Sequence, residues 1–284
     1  MNAKFGPAGN SESFTQQGYK STLQAPGWLE QMGLDAYEYQ CGRGVNVSDK
    51  TAEAIGAKAA EHGISLSIHA PYFISLGNPE RLEQNAKYIL QSCQAASCMG
   101  ATRVIIHSGA LLGRTREQAL EISKNSIAQV WRQCVEQGYQ DISLCPELMG
   151  VISQLGDLDE VIALCLVDDS FVPCIDFGHL NSRTGGGVKT MEDAAAVFSN
   201  IENSLGRERA VRCHIHFSKI MYSDKGEVKH LTFDDTQYGP EFEPVAQAIV
   251  KMNLAPTIIC ESAGTQAEDS VKMKGIYQKL LAQQ

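Results

Sequence analysis

The chain lacks long apolar runs. Its longest wholly apolar stretch is VIALCLV, residues 161–167, far short of the length that spans a bilayer. The N-terminal stretch MNAKFGPAGNSESF has no apolar segment of the signal-peptide kind, so no secretory leader is expected. Positive charge is scarce: 24 Lys and Arg stand against 33 Asp and Glu, for a net charge of −9. That balance excludes coating of nucleic acid by overall charge, although bound cations reverse the sign locally. There is no C-x-x-C pair among the nine cysteines, several of which (Cys145, Cys174, Cys260) sit inside apolar runs. They read as reduced, buried thiols of a cytoplasmic protein rather than redox or structural-zinc cysteines. No linker or low-complexity stretch divides the 284 residues, so a single domain spanning residues 1–284 is expected. Nucleophile-elbow G-x-S-x-G and H-E-x-x-H motifs are missing. In TGGGVKT (184–190), Val188 separates the last Gly from Lys189, so the phosphate-loop spacing fails and a flexible loop is expected.

What is present is an alternation. Short apolar or β-branched runs occur near 3–6, 36–41, 65–69, 103–107, 142–147, 171–176, 211–217 and 257–261. Segments with helical spacing lie between them, at 26–32, 49–61, 80–98, 115–136, 156–166, 190–204, 241–252 and 266–282. Asn78-Pro79 marks a helix start, and Gly63 and Gly138 mark helix stops. Eight strands, each followed by a helix, predict an α/β protein folded as a single (β/α)8 TIM barrel. In that fold chemistry is built where strands end, so metal-binding and acid–base residue types are expected there.

They cluster there. The third, fourth and fifth strands end in His69, His107 and Glu147. The sixth ends in Asp176, with His179 one turn on, and the eighth ends in Glu261. His214 and His216 share one face of the seventh strand, and His230 lies in the long segment after it. Taken alone, Asp176 and His179 would be a hydrogen-bonded couple closing a strand. Gathered with the other imidazoles and carboxylates at one barrel mouth, they would be costly to bury without cations. Neutral imidazole and carboxylate are natural ligands of divalent metals, and this many donors exceeds the needs of one ion. Clustered metals suit phosphoryl chemistry, with Glu147 as the bridging carboxylate. His62, before Gly63, reads as a helix-end residue.

The series SIHAPYFISLGNP, VIIHSGA, CPELMG, CIDFGHLNS, CHIHFSK, KHLTFDD and ICESA resembles the endonuclease IV (deoxyribonuclease IV) apurinic/apyrimidinic endonucleases of the xylose-isomerase-like superfamily. The resemblance implies a zinc-dependent hydrolase of DNA repair that cuts damaged DNA 5′ to an abasic site. It implies Zn2+ as cofactor, two to three ions with Mn2+ an alternative. It also implies a monomer with no membrane partner. Carried over, His69 and His107 would bind one zinc and Glu147 would bridge to a second. Asp176, Glu261 and either His214 or His216 would complete the second, and His179 and His230 would hold the third. Tyr72 and Arg43 would contact DNA. The family's usual Asp two residues before His230 is Val228 here, which leaves Asp224, Glu227, Asp234 or Asp235 to substitute. A sugar isomerase or epimerase of the same superfamily would need only Glu147, Asp176, a seventh-strand His and Glu261 around one metal.

Overall fold

The computed structural model describes residues 2–283. Eight parallel strands form one sheet: β1 (Lys4–Pro7), β2 (Ala36–Gln40), β3 (Ser65–His69), β4 (Arg103–His107), β5 (Ser143–Glu147), β6 (Cys174–Asp176), β7 (His214–Phe217) and β10 (Thr257–Cys260). Their order is β1-β10-β7-β6-β5-β4-β3-β2. The sheet closes on itself between β1 and β2, where Asp35 N–H donates to Phe5 O and Gly9 N–H to Glu38 O, each at 2.9 Å. Glycine is required at that seam. A Cβ on Gly6 would stand 1.8 Å from the Ala36 carbonyl oxygen, so any side chain would wedge the barrel open. The result is the expected TIM barrel.

Helices surround the sheet: α1 (Glu12–Gln16), α2 (Ala25–Gln31), α3 (Asp49–Glu61), α4 (Leu82–Met99), α5 (Arg116–Glu136), α6 (Leu158–Cys165), α7 (Phe177–Arg183), α8 (Met191–Leu205), α9 (Arg207–Val211), α10 (Phe242–Lys251) and α11 (Gln266–Leu281). Their starts follow local chemistry. Thr115, Asp157 and Thr190 each cap a helix reciprocally with a Gln, Glu or Asp three residues on. Asn78 caps a 3₁₀ turn, Pro79–Arg81, that leads into α4 rather than starting an α-helix itself. Gly63 and Gly138 follow α3 and α5 in the left-handed conformation, as expected of stops. His62 sits at the end of α3 and reaches Glu30 of α2 through Nδ1 at 2.8 Å.

Three features depart from the sequence expectations. A helix, α7, follows β6 without any loop. The segment after β7 is a hairpin, β8 (Ile220–Ser223) and β9 (Gly226–His230), rather than a plain loop. The glycine-rich stretch 184–190 is tied down: Gly186 N–H donates to Asn181 O at 2.7 Å, and Val188 N–H to Asn181 Oδ1 at 3.2 Å. Val188 is buried, which anchors the stretch between α7 and α8. All nine cysteines are free thiols, and all but Cys98 are buried. Among the described residues no helix is long and apolar enough to cross a membrane.

Candidate metal centre

The barrel mouth holds a cavity of about 220 Å³, walled by His69, His107, Glu147, His179, Glu227, His230 and Glu261 among others. Glu147, the last residue of β5, lies at its floor and is buried. Its two oxygens face different histidines. Oε2 is 3.1 Å from His69 Nε2 and 3.4 Å from His107 Nε2. Oε1 is 3.1 Å from His216 Nδ1 and 3.6 Å from His179 Nδ1.

The ring orientations are set from outside the cluster. His69 Nδ1 donates to the Ala70 carbonyl at 2.7 Å, and His179 Nδ1 to the Leu148 carbonyl at 2.8 Å. A neutral imidazole with one nitrogen so occupied presents a bare lone pair on the other. At His69 that lone pair faces a Glu147 oxygen, and at His179 it faces Glu227 Oε2 at 3.3 Å. Two acceptors facing each other repel unless a proton or a cation lies between them. Without a metal, protons fill the role. Burial opposes charge on His69 and His230, but neighbouring carboxylates win and push both up to about 9. His107, where burial dominates, falls to about 4.

Asp176 ends β6 and caps α7, its Oδ1 accepting from His179 N–H at 2.7 Å. Its Oδ2 is buried and has no hydrogen-bond partner. The Asp-x-x-His couple is thus both things the sequence allowed, a strand-closing hydrogen bond and a carboxylate oxygen without a hydrogen bond facing the cluster. Burial raises the Asp176 carboxyl to about 6. Glu147, Asp176, His216 and Glu261 bring one ligand atom each within 4.8 Å of one another, as do His69, His107 and Glu147, and as do His179, His230 and Glu261. The orphaned Asp176 oxygen and the facing acceptors fit divalent cations.

The two histidines of β7 separate by depth. His216 pairs in register with Asp176 at the strand ends. His214 pairs with Cys174 one layer deeper, and its Nε2 meets Glu38 at 3.0 Å. Glu38, a fully buried carboxylate in the middle of β2, was not singled out from the sequence. Only its isolation as a charge within AYEYQC hinted at it.

Glu227 was one of four substitutes for the missing Asp, and the hairpin selects it. The β8–β9 ladder pairs Met221 with Lys229 but Tyr222 with Glu227, so Val228 is an extra, bulged residue. Val228 points outward and is 55% exposed. In a regular strand residues three apart lie on opposite faces; the bulge returns Glu227 to the face of His230. Glu227 Oε1 lies 3.4 Å from His230 Nε2, whose other ring nitrogen meets Ser218 Oγ at 2.8 Å. Gly150 makes the room, since a Cβ there would lie 2.7 Å from the Glu227 Cβ and 2.9 Å from the His179 ring. Arg183 braces this loop by donating to the carbonyls of Met149, Val151 and Gln154.

Tyr72 lines the cavity at its rim and is 51% exposed. Arg43 is exposed in the loop after β2, where its neighbour Gly42 lines the cavity but Arg43 itself does not. Gln40, another lining residue, carried no signal in the sequence beyond its place at a strand end.

A family model for the xylose isomerase-like TIM barrel matches residues 26–277. The chain is 29% identical over 250 residues to an uncharacterised protein of Methanocaldococcus jannaschii, covering 87% of this chain and 88% of that one. It is 25% identical over 219 residues to a probable endonuclease 4 of Shouchella clausii, covering 72% of each. Among solved structures, a D-tagatose 3-epimerase-like protein superposes with a TM-score of 0.73 at 15% identity, covering 99% of this chain and 98% of that one. Endonuclease IV of Thermus thermophilus superposes with a TM-score of 0.68 at 18% identity, covering 99% of this chain and 100% of that one.

Proposed function

The chain belongs to the xylose isomerase-like TIM-barrel family, and from that premise we propose that it is a divalent-metal phosphodiesterase that cuts DNA 5′ to abasic sites. The observation that carries this reading is the division of Glu147, one oxygen toward His69 and His107 and the other toward His216. A carboxylate divided in this way would suit two cations, one beside each oxygen. His69 and His107 with Glu147 would hold one ion, and Glu147, Asp176, His216 and Glu261 a second. Glu227, His179 and His230 would hold a third. When bound, zinc or manganese supplies Lewis acidity toward phosphate oxygens and lowers the pKa of an adjacent water.

The chain's own residues do the rest. The backbone carbonyls of Ala70 and Leu148 hold His69 and His179 in one tautomer, so the ligand nitrogens need no rearrangement. Tyr72 and Arg43, at and beside the rim, would contact the DNA backbone around the lesion. A sugar without a base costs less to extrude than a stacked nucleotide, which favours the abasic site. The 25% identity to a probable endonuclease 4 supports the same substrate class.

A second reading is a ketose epimerase. It draws on the set Glu147, Asp176, His216 and Glu261, which is complete for one metal without the other histidines. The two readings separate on one substrate pair. A duplex oligonucleotide carrying a single abasic analogue should be cut once, 5′ to the lesion, leaving a 3′-hydroxyl. Glu147→Gln should lower that rate roughly a hundredfold or more, as loss of a metal bridge does. An intact oligonucleotide, together with interconversion of a ketose and its epimer, would establish the second reading instead.

A further inference from the structure

Beneath the strand-end donors, Glu38 forms a separate polar layer that joins β2 to β7. Its Oε2 accepts from Ser67 Oγ of β3 at 2.8 Å and lies 3.0 Å from His214 Nε2. Its Oε1 accepts from Gln40 Nε2 at 3.2 Å and lies 3.0 Å from His216 Nε2. Glu38, His214 and His216 are all fully buried. Enclosing a carboxylate this deeply is costly unless its partners are fixed.

Proton positions follow from the partners. Arg103 NH1 approaches His214 Nδ1 at 3.3 Å, and a guanidinium only donates, so His214 Nδ1 accepts. His214 therefore carries its proton on Nε2 and gives that hydrogen bond to Glu38. Both of its nitrogens are used, which removes it from the donors at the barrel mouth. The contact of Glu38 Oε1 with His216 Nε2 is close, though not aligned as a full hydrogen bond. A carboxylate oxygen at 3.0 Å tolerates an N–H there and repels a lone pair. With Nε2 turned to Glu38, Nδ1 is the His216 nitrogen that faces the cluster, hydrogen-bonded to Glu147 Oε1 at 3.1 Å and 3.6 Å from Glu261 Oε1, so a proton or a cation must lie between Nδ1 and these carboxylates.

We propose that Glu38 is a positioning residue of the metal centre: it holds the Nε2 side of His216, so that Nδ1 is the nitrogen presented to the cation shared with Glu147, Asp176 and Glu261. The inference rests on the reading of that cluster as a divalent-cation site. Glu38→Gln is a sharp probe, because the amide cannot serve both imidazoles as a carboxylate does. Ser67 and His214 both donate and demand its oxygen, so its NH2 group turns to His216 Nε2. The Nε2–H that His216 must keep when Nδ1 holds a cation then meets an amide NH2 instead of a carboxylate oxygen.

The test pairs two readouts on the full chain. Zinc affinity is measured by competition with a chromophoric chelator, and the His216 tautomer is read from long-range ¹H–¹⁵N couplings before and after zinc is added. Zinc-loaded wild type should show His216 protonated on Nε2 alone. Glu38→Gln should lose that pattern at equal zinc and weaken zinc binding by roughly ten- to a hundredfold at one ion's worth of stoichiometry. If wild type takes up no zinc, the metal reading falls and this inference with it. If wild type binds zinc and Glu38→Gln binds it equally well with an unchanged tautomer, the role of Glu38 falls and the metal reading stands. Should the variant not fold, the wild-type spectrum still decides: a proton on His216 Nδ1 in the zinc-loaded chain overturns the inference.

Discussion

Asp176 spends its two oxygens differently, one capping α7 and the other buried without a hydrogen bond, 3.3 Å from His179 Nδ1. Asn serves about as well as Asp at a helix N-cap, so Asp176→Asn should leave the metal-free fold intact. Its charge and a ligand oxygen would be gone, however. Metal-free thermal denaturation should therefore match wild type, while zinc uptake measured by elemental analysis should fall by about one equivalent. A metal-free variant with much lower stability and unchanged uptake would mean that Asp176 is only a cap. Glu147 and His230 should also differ. Glu147 faces histidines with both of its oxygens, whereas His230 belongs to the one cluster with His179, Glu227 and Glu261. Steady-state cleavage should thus lose more from Glu147→Gln than from His230→Ala, and equal losses would mean that the three sets act as one unit.

The β8–β9 hairpin decides which carboxylate meets His230. Spacing along the chain points to position 228, where a regular strand would turn the side chain to the same face as His230. The bulge sends Val228 outward and Glu227 inward instead. It follows that Glu227→Ala should lose about one equivalent of zinc, and that adding Val228→Asp to it should not restore the loss. Recovery in the double variant, read by elemental analysis, would show that the ladder is regular. The strand-end donors His69, His107, Glu147, Asp176 and Glu261 were legible because each polar residue follows an apolar run. The hairpin was not, since SKIMYSDKGEVKH has no apolar run of strand length. Its one local signal was Gly226, at positive φ directly after Asp224-Lys225. Glu38 stayed hidden because a charge in the middle of a strand reads as an outward residue until the barrel closes around it. The choice between His214 and His216 likewise needed depth, which a two-residue period on one face cannot supply.

Across the whole molecule, the net charge of −9 means that, on the proposed reading, any affinity for DNA would have to come from the mouth rather than from a basic surface. The same concentration of imidazoles sets a pH signature. His69 and His230 are raised to about 9 from an ordinary value near 6.5. In the metal-free chain, then, they add stability that is full below about pH 6.5 and is lost as pH rises toward 9. Metal binding runs the other way, because it needs those imidazoles neutral. The gap in Tm between zinc-loaded and metal-free protein should therefore widen from pH 6.5 to 9; a constant gap would mean that these histidines do not bind the metal. The division of Glu147 between two donor sets is tested most directly by metal content per chain, taken by elemental analysis on protein purified without chelator. Two to three equivalents of zinc or manganese are expected from the donor sets present. One equivalent or fewer would contradict a bridging Glu147 and leave the four-donor, single-metal site of an epimerase.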